Sequence, residues 1–151
     1  MKEFTNITEI LDFAIGEEQA AVDFYLQLAA QSKNQQTKKA FLEYAEEEMR
    51  HKAFILGVKE NGSFQLSDEK VRDLKIAEYL VDVKPSANMS YPDALILAMK
   101  KEKAAFRMYT MLAEKAEDPS VKATFLSLAQ EESKHKLRFE IEYDDFILKE
   151  N

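Results

Sequence analysis

Both histidines of this 151-residue chain lie in the same short motif, Glu-x-x-His, which occurs as Glu48 to His51 and again as Glu132 to His135. Carboxylate and imidazole are the side chains that bind divalent metals without sulfur. Residues three and four apart share one face of a helix. Phe41, Tyr44, Glu48, His51 and Ile55 therefore form one stripe, and Phe125, Leu128, Glu132, His135 and Phe139 form another. Two further glutamates interrupt apolar stripes of the same period. Glu18 lies in the series Ile7, Leu11, Ala14, Glu18, Ala21, Tyr25, Leu28, and Glu102 in the series Tyr91, Leu95, Ala98, Glu102, Ala105, Tyr109, Leu112.

Carboxylates placed on core-facing stripes must be protonated or neutralised, because an isolated buried charge costs several kcal/mol. Two divalent cations carry four positive charges against Glu18, Glu48, Glu102 and Glu132, with neutral His51 and His135 as the remaining ligands. Either Glu-x-x-His alone reads as a solvated surface pair, but the whole set does not. One Glu from each of two helices and Glu-x-x-His from each of two others is the di-iron or di-manganese carboxylate pattern of helical bundles. By that analogy Glu48 and Glu132 bridge the metals, Glu18 and Glu102 bind terminally, and each histidine completes one site. Oxygen-rich ligation with one imidazole per metal favours iron, with manganese as the alternative, over tetrahedral zinc. Tyr25 and Tyr109, two turns beyond Glu18 and Glu102, either hydrogen-bond a ligand carboxylate from the second shell or pack in the core with a satisfied hydroxyl. Glu46, Glu47 and Glu131 point off the stripes as surface acids. Met49, Met99, Met108 and Met111 read as gap-filling core or boundary residues.

The two halves of the chain repeat each other. Glu102 minus Glu18, Tyr109 minus Tyr25, Glu132 minus Glu48 and His135 minus His51 each give a shift of 84, and the same ungapped shift aligns Leu11 with Leu95, Phe41 with Phe125, and Ala45 with Ala129. Amphipathic helices share Leu and Ala by composition alone. Glu, Tyr and Glu-x-x-His falling on one register is not a composition effect.

The elements that must position these residues are long helices. The stripe from Ile7 begins after Asn6, with Glu9 three residues on as a capping box. Ser32 to Gln36 make a turn, and a second helix runs from about Thr37 to Glu60, ending at Asn61-Gly62. Ser67 or Asp68 starts a shorter helix through about Leu80, ahead of the Lys84-Pro85 break. Ser90, Pro92 and Asp93 start a third long helix to about Glu117, and Asp118-Pro119-Ser120 turns the chain into a fourth reaching about Leu148. The expected fold is all-α, a ferritin-like four-helix bundle of two quasi-repeated hairpins joined by a long crossover (Ser63 to Ser90) that carries a short helix.

Composition bounds the rest. At this length one domain, residues 1–151, buries roughly 70% of the surface its unfolded chain exposes. With 46% hydrophobic and 32% charged residues, three glycines and three prolines, the chain favours helix. A net charge of −7 without a basic cluster argues against nucleic acid as a partner. The absence of cysteine excludes disulfides, thiol catalysis and a thiolate iron site in these residues. The longest apolar run, Ala94 to Met99, is far too short to span a bilayer, and the first residues show no signal core, so a cytoplasmic protein is expected.

The motifs Glu18-x6-Tyr25, Glu48-x-x-His51, Glu102-x6-Tyr109 and Glu132-x-x-His135 resemble the rubrerythrin group of the ferritin-like superfamily over about Ile7 to Glu60 and Tyr91 to Asp144. The resemblance implies a non-haem di-iron protein that reduces peroxide or oxygen, and it implies homodimers, although no apolar stripe outside the seams calls for one. Rubrerythrins draw electrons from a rubredoxin-like site. With no cysteine here, those electrons are expected from a separate donor. Where rubrerythrins carry an additional glutamate ligand, one turn after the third-helix glutamate, this chain has Ala105. The remaining six-ligand set is similar to the wider ferritin-like di-iron oxidase pattern. Two other functions compete: iron or manganese sequestration without turnover, and a structural or partner-binding bundle.

Overall fold

The computed structural model describes residues 3–76, 85–86 and 88–150. Its described elements are all helical: α1 (Ile7–Gln31), α2 (Gln35–Asn61), α3 (Asp68–Leu74), α4 (Tyr91–Lys115) and α5 (Pro119–Glu150). The chain falls into two compact units, one up to Lys75 and one from Ile76 onward. No helix among the described residues is long and apolar enough to cross a membrane.

In the first unit α1 and α2 form an antiparallel hairpin. Lys52 Nζ donates to Gln19 Oε1 at 2.8 Å and Lys59 Nζ meets Asp12 Oδ1 at 2.5 Å, so positions descend on α1 as they ascend on α2. Between the helices lie Ile10, Leu11, Ala14, Leu28, Phe41, Ile55 and Val58, all buried. Phe4 packs on Phe13 with ring centroids 5.3 Å apart, and Phe64 and Val71 bury apolar side chains from the chain after α2. In the second unit α4 and α5 pack the same way around Leu95, Ala98, Leu112, Phe125, Ala129 and Phe139.

Helix boundaries follow from their caps, and the caps obey the repeat. Asn6 Oδ1 accepts from Glu9 N at 2.9 Å, and its counterpart 84 residues on, Ser90 Oγ, accepts from Asp93 N at 3.2 Å. Asn34 Oδ1 accepts from Gln36 N and Thr37 N, and its counterpart Asp118 Oδ1 accepts from Ser120 N and Val121 N. Helices α1 and α4 end alike, with the N–H of Ser32 donating to the Ala29 carbonyl and that of Ala116 to the Ala113 carbonyl. The Glu9 carboxylate reaches Thr5, accepting from its N–H at 2.7 Å and its hydroxyl at 2.6 Å, so the capping box is displaced one residue toward the N-terminus.

Four boundaries differ from the sequence expectation. Helix α2 starts two residues before Thr37, because Asn34 is the cap and releases Gln35 and Gln36 into the helix. Helix α3 stops at Leu74, where Lys75 adopts left-handed geometry (φ 51°) and its N–H turns back to the Arg72 carbonyl; the expected continuation over residues 77–80 lies outside the described residues. Helix α4 ends at Lys115, since Ala116 is already extended, and α5 runs on to Glu150. Gly62 ends α2 as expected, with φ 64°.

Removing a cap leaves helical N–H groups without their acceptor. Asn34→Ala and Asp118→Ala are each expected to cost about 1 kcal/mol, lowering Tm by roughly 2–4 °C for a chain of this size. Asn34→Asp and Asp118→Asn should melt close to the wild type. Thermal unfolding followed by circular dichroism measures this, and alanine variants melting with the wild type would remove the caps from the account of where the hairpins begin.

Candidate metal centre

In the first unit the apolar face of α1 delivers Glu18 and that of α2 delivers Glu48 and His51, one turn apart. All three are buried, at 2%, 1% and 2% exposure. His51 Nδ1 lies 3.6 Å from Glu18 Oε2 and 3.4 Å from Glu48 Oε1. In the second unit α4 delivers Glu102 and α5 delivers Glu132 and His135, again at 2%, 1% and 1%. His135 Nδ1 lies 3.6 Å from Glu102 Oε2 and 3.9 Å from Glu132 Oε1. The same atoms face each other in both halves. Each half brings one carboxylate from its first helix, and one carboxylate and one imidazole from its second, into a group whose ligand atoms lie within 4.8 Å of one another.

These separations identify what the groups suit. An N–H···O hydrogen bond spans about 2.7–3.2 Å, and the nitrogen-to-oxygen distances here are longer. Ligands about 2.1 Å from a common ion, at octahedral or tetrahedral angles, stand about 3.0–3.4 Å apart. The imidazole-to-carboxylate separations, 3.4–3.9 Å, therefore lie at or within about half an ångström of coordination-shell spacing, in groups whose ligand atoms all fall within 4.8 Å. The donor chemistry also fits: hard carboxylate oxygens with one imidazole suit a divalent first-row ion, and a cation offsets the cost of two carboxylates beneath 3% exposure.

Tyr25 and Tyr109 are buried, at 2% and 0%. Tyr25 meets Tyr44 edge to face at 6.3 Å, while Tyr109 stacks on Phe125 at 5.8 Å. Both rings are packed core, and each lies on the face that carries the glutamate. Ala105, one turn after Glu102, is half-buried, as is its counterpart Ala21. Of the neighbouring acids, Glu46 is exposed, whereas Glu47 and Glu131 are half-buried. Met108 is core and Met99 and Met111 are boundary residues, but Met49 is 50% exposed: it follows Glu48 directly, and one step along a helix turns a side chain by about 100° away from the buried face. Sequence reasoning also passed over Thr37, a polar residue at 2% exposure whose counterpart is the buried Val121; its place one turn before Phe41 on the inner face is the signal that marks it.

A duplicated helical hairpin with a buried carboxylate and imidazole set in each copy defines a metal-binding protein of the ferritin-like helical class. The family model for rubrerythrin matches residues 9–143, and the chain belongs to that family. Among solved structures, a hypothetical protein from Pyrococcus furiosus has the same fold, with a TM-score of 0.70 and 24% identity over 91% of this chain and 87% of that one. No curated protein matches the chain.

If the carboxylate groups hold ions, ion binding adds to stability by mass action, because the unfolded chain has no such site. Adding ferrous or manganous ion to metal-free protein is expected to raise Tm by several degrees, and Glu48→Gln, which keeps shape but removes the charge, should abolish most of that rise. Scanning calorimetry with metal titration checks it. An equal rise in both proteins would move the binding elsewhere.

Proposed function

We propose that the two groups act together as one dinuclear iron centre, and that its reduced form passes electrons to peroxide or oxygen. The observation that carries the reading is the match between the halves: two carboxylates and one imidazole, all at or below 2% exposure, with the same atoms facing each other in each hairpin. Two such groups supply four negative charges and two neutral imidazoles, which two divalent ions balance. Family membership supports iron, and manganese is the alternative ion for the same donors.

In this reading Glu48 and Glu132 would be the carboxylates shared by the two ions, Glu18 and Glu102 would each serve one ion, and His51 and His135 would each complete one ligand set. The ions, when bound, supply the one-electron steps that side chains lack. The protein's part is to hold the ligands on helices, to turn the Nδ1 of each histidine toward the carboxylates, and to limit water with the apolar residues above and below each ligand level, Leu11 and Ala14 against Tyr25 and Leu28 in the first hairpin. Electrons come from a separate carrier, such as a rubredoxin-like protein, since this sequence has no cysteine for a thiolate iron site. A cytoplasmic setting, where such carriers work, fits the expectation from the sequence.

Stopped-flow mixing of the ferrous protein with peroxide, and separately with oxygen, tests the function. Oxidation of the bound ions is expected to outrun that of free ferrous ion by at least tenfold, with about two irons per chain, and to fall to the free-ion rate in Glu48→Ala. Rapid single oxidation with no further turnover when a reduced donor is supplied would select metal sequestration instead. Failure of both oxidants to react faster than with free ion would end the redox reading.

A further inference from the structure

Helix α4 reverses the charge of its counterpart α1. Residues 94–113 carry Lys100, Lys101, Lys103 and Arg107, with the buried ligand Glu102 as their single acid. Under the shift of 84 the matching residues 10–29 carry Asp12, Glu17, Glu18 and Asp23 and no base. Positive charge is thus concentrated on one stretch of a chain whose net charge is −7. Lys100, Lys103 and Arg107 are exposed and follow one another at steps of three and four, so they share one outer face within about 60°. Like charges at that spacing repel and cost the helix stability. Among the described residues their side chains have no hydrogen-bond or ion-pair partner, whereas Lys52 and Lys59 on α2 are turned to Gln19 and Asp12. Phe106 borders the same face at 39% exposure, where the first hairpin buries its counterpart Val22 at 6%.

We propose that this face of α4 docks an acidic protein that carries electrons to the metal centre. Charge selects the partner: an anionic surface laid over Lys100, Lys103 and Arg107 relieves a repulsion that the chain's own side chains leave standing. The exposed ring of Phe106 beside an arginine gives that partner an apolar contact, and aromatic and arginine side chains are the types enriched where proteins meet. The position on the helix ties the face to the electron path. Lys100 and Lys103 flank Glu102 in sequence, so a carrier seated over them lies one helix width, about 10 Å, from that ligand. Each encounter moves one electron from the reduced carrier to the oxidised centre, with no bond made or broken. A second copy of this chain is the poorer occupant, because the acids of α1 are already engaged: Asp12 pairs with Lys59, and Asp23 accepts from Gln19 Nε2 at 3.1 Å. The delivery of electrons rests on the redox reading above, whereas the docking rests on the charge of α4 alone.

The probe is a rubredoxin of acidic sequence, and the full chain is compared with two triple variants. One reverses the face, Lys100→Glu with Lys103→Glu and Arg107→Glu; the other makes the same charge change on α2, Lys38→Glu with Lys39→Glu and Arg50→Glu. All six side chains are exposed, so both variants should fold as the wild type does, which circular dichroism checks. In stopped flow, the second-order rate at which reduced rubredoxin reduces the oxidised, iron-loaded protein is expected to fall at least tenfold in the α4 variant and less than about threefold in the α2 variant. In the wild type it should fall at least tenfold between about 20 and about 300 mM salt. Titrating metal-free, isotope-labelled chain with oxidised rubredoxin reads the docking without iron: amide shifts should concentrate around residues 100–107 and vanish in the α4 variant. Equal losses in the two variants overturn the proposal, since net charge alone would then steer the carrier. So does the absence of binding at low salt, or a wild type that self-associates through this face and binds no rubredoxin. Amide shifts on α4 in a protein whose ferrous form reacts with neither oxidant would support the docking and overturn only the redox reading.

Discussion

The constraint on which everything else depends is that each hairpin buries two carboxylates and an imidazole in a seam otherwise made of Leu, Ala, Ile and aromatic rings. Such groups cost several kcal/mol unless a counter-charge meets them, so the surrounding fold must be stable enough to hold them at one level. The layers beside them supply that stability. Fully buried Leu11, Leu28, Phe41 and Ile55 in the first hairpin, and Leu95, Leu112, Phe125 and Phe139 in the second, flank the ligand level on both sides. Long helices with capped ends are what keep a glutamate on α1 level with a glutamate and a histidine on α2.

That level is set by the turn as much as by the stripe. Within a helix, each residue between the cap and a ligand turns that ligand by about 100° and moves it by about 1.5 Å, so the distance from cap to ligand decides which face and level it reaches. Asn34 and Asp118, each closing a three-residue connection with the same pair of acceptor bonds, hold both hairpins in one register. The equal 3.6 Å separations of His51 from Glu18 and of His135 from Glu102 are the outcome. A duplicated sequence has kept the caps, the ligands and the spacing between them as a single unit.

Most of this is legible in the sequence because helical period and cap chemistry are local. The four long helices, the caps at Asn6 and Ser90, the Gly62 stop and the burial of Glu18, Glu48, His51, Glu102, Glu132 and His135 all follow from spacing. What local pattern did not give has a physical reason in each case. Asn34 lies inside a polar run, Ser32 to Gln36, where several residues can cap, so the start of α2 was placed two residues late. The end of α3 depends on Lys75 adopting left-handed geometry, which is uncommon for a lysine and has no composition signal. Met49, expected as a core or boundary residue, is exposed because its position beside Glu48 turns it outward.

The differences between the halves carry information that the similarities do not. Under the shift of 84, Tyr44 corresponds to Leu128, Val58 to Glu142 and Ile7 to Tyr91, and these last two changes occur together: the Tyr91 hydroxyl donates to Glu142 Oε1 at 3.1 Å. A half-buried carboxylate has replaced a buried valine only where a hydrogen-bond donor replaced isoleucine, as the cost of an unsatisfied polar group demands. Apolar seam positions vary freely in size between the halves, Ile55 against Phe139 and Phe24 against Met108, whereas the polar group that entered the seam came with a donor. On the exposed face the same logic is relaxed: Glu140, which stands where the first hairpin has Leu56, pairs with Lys136 one turn before it. A charge on an exposed face keeps its water and needs no donor from the chain, which is why replacement there is free of the constraint that couples Tyr91 to Glu142 inside the seam.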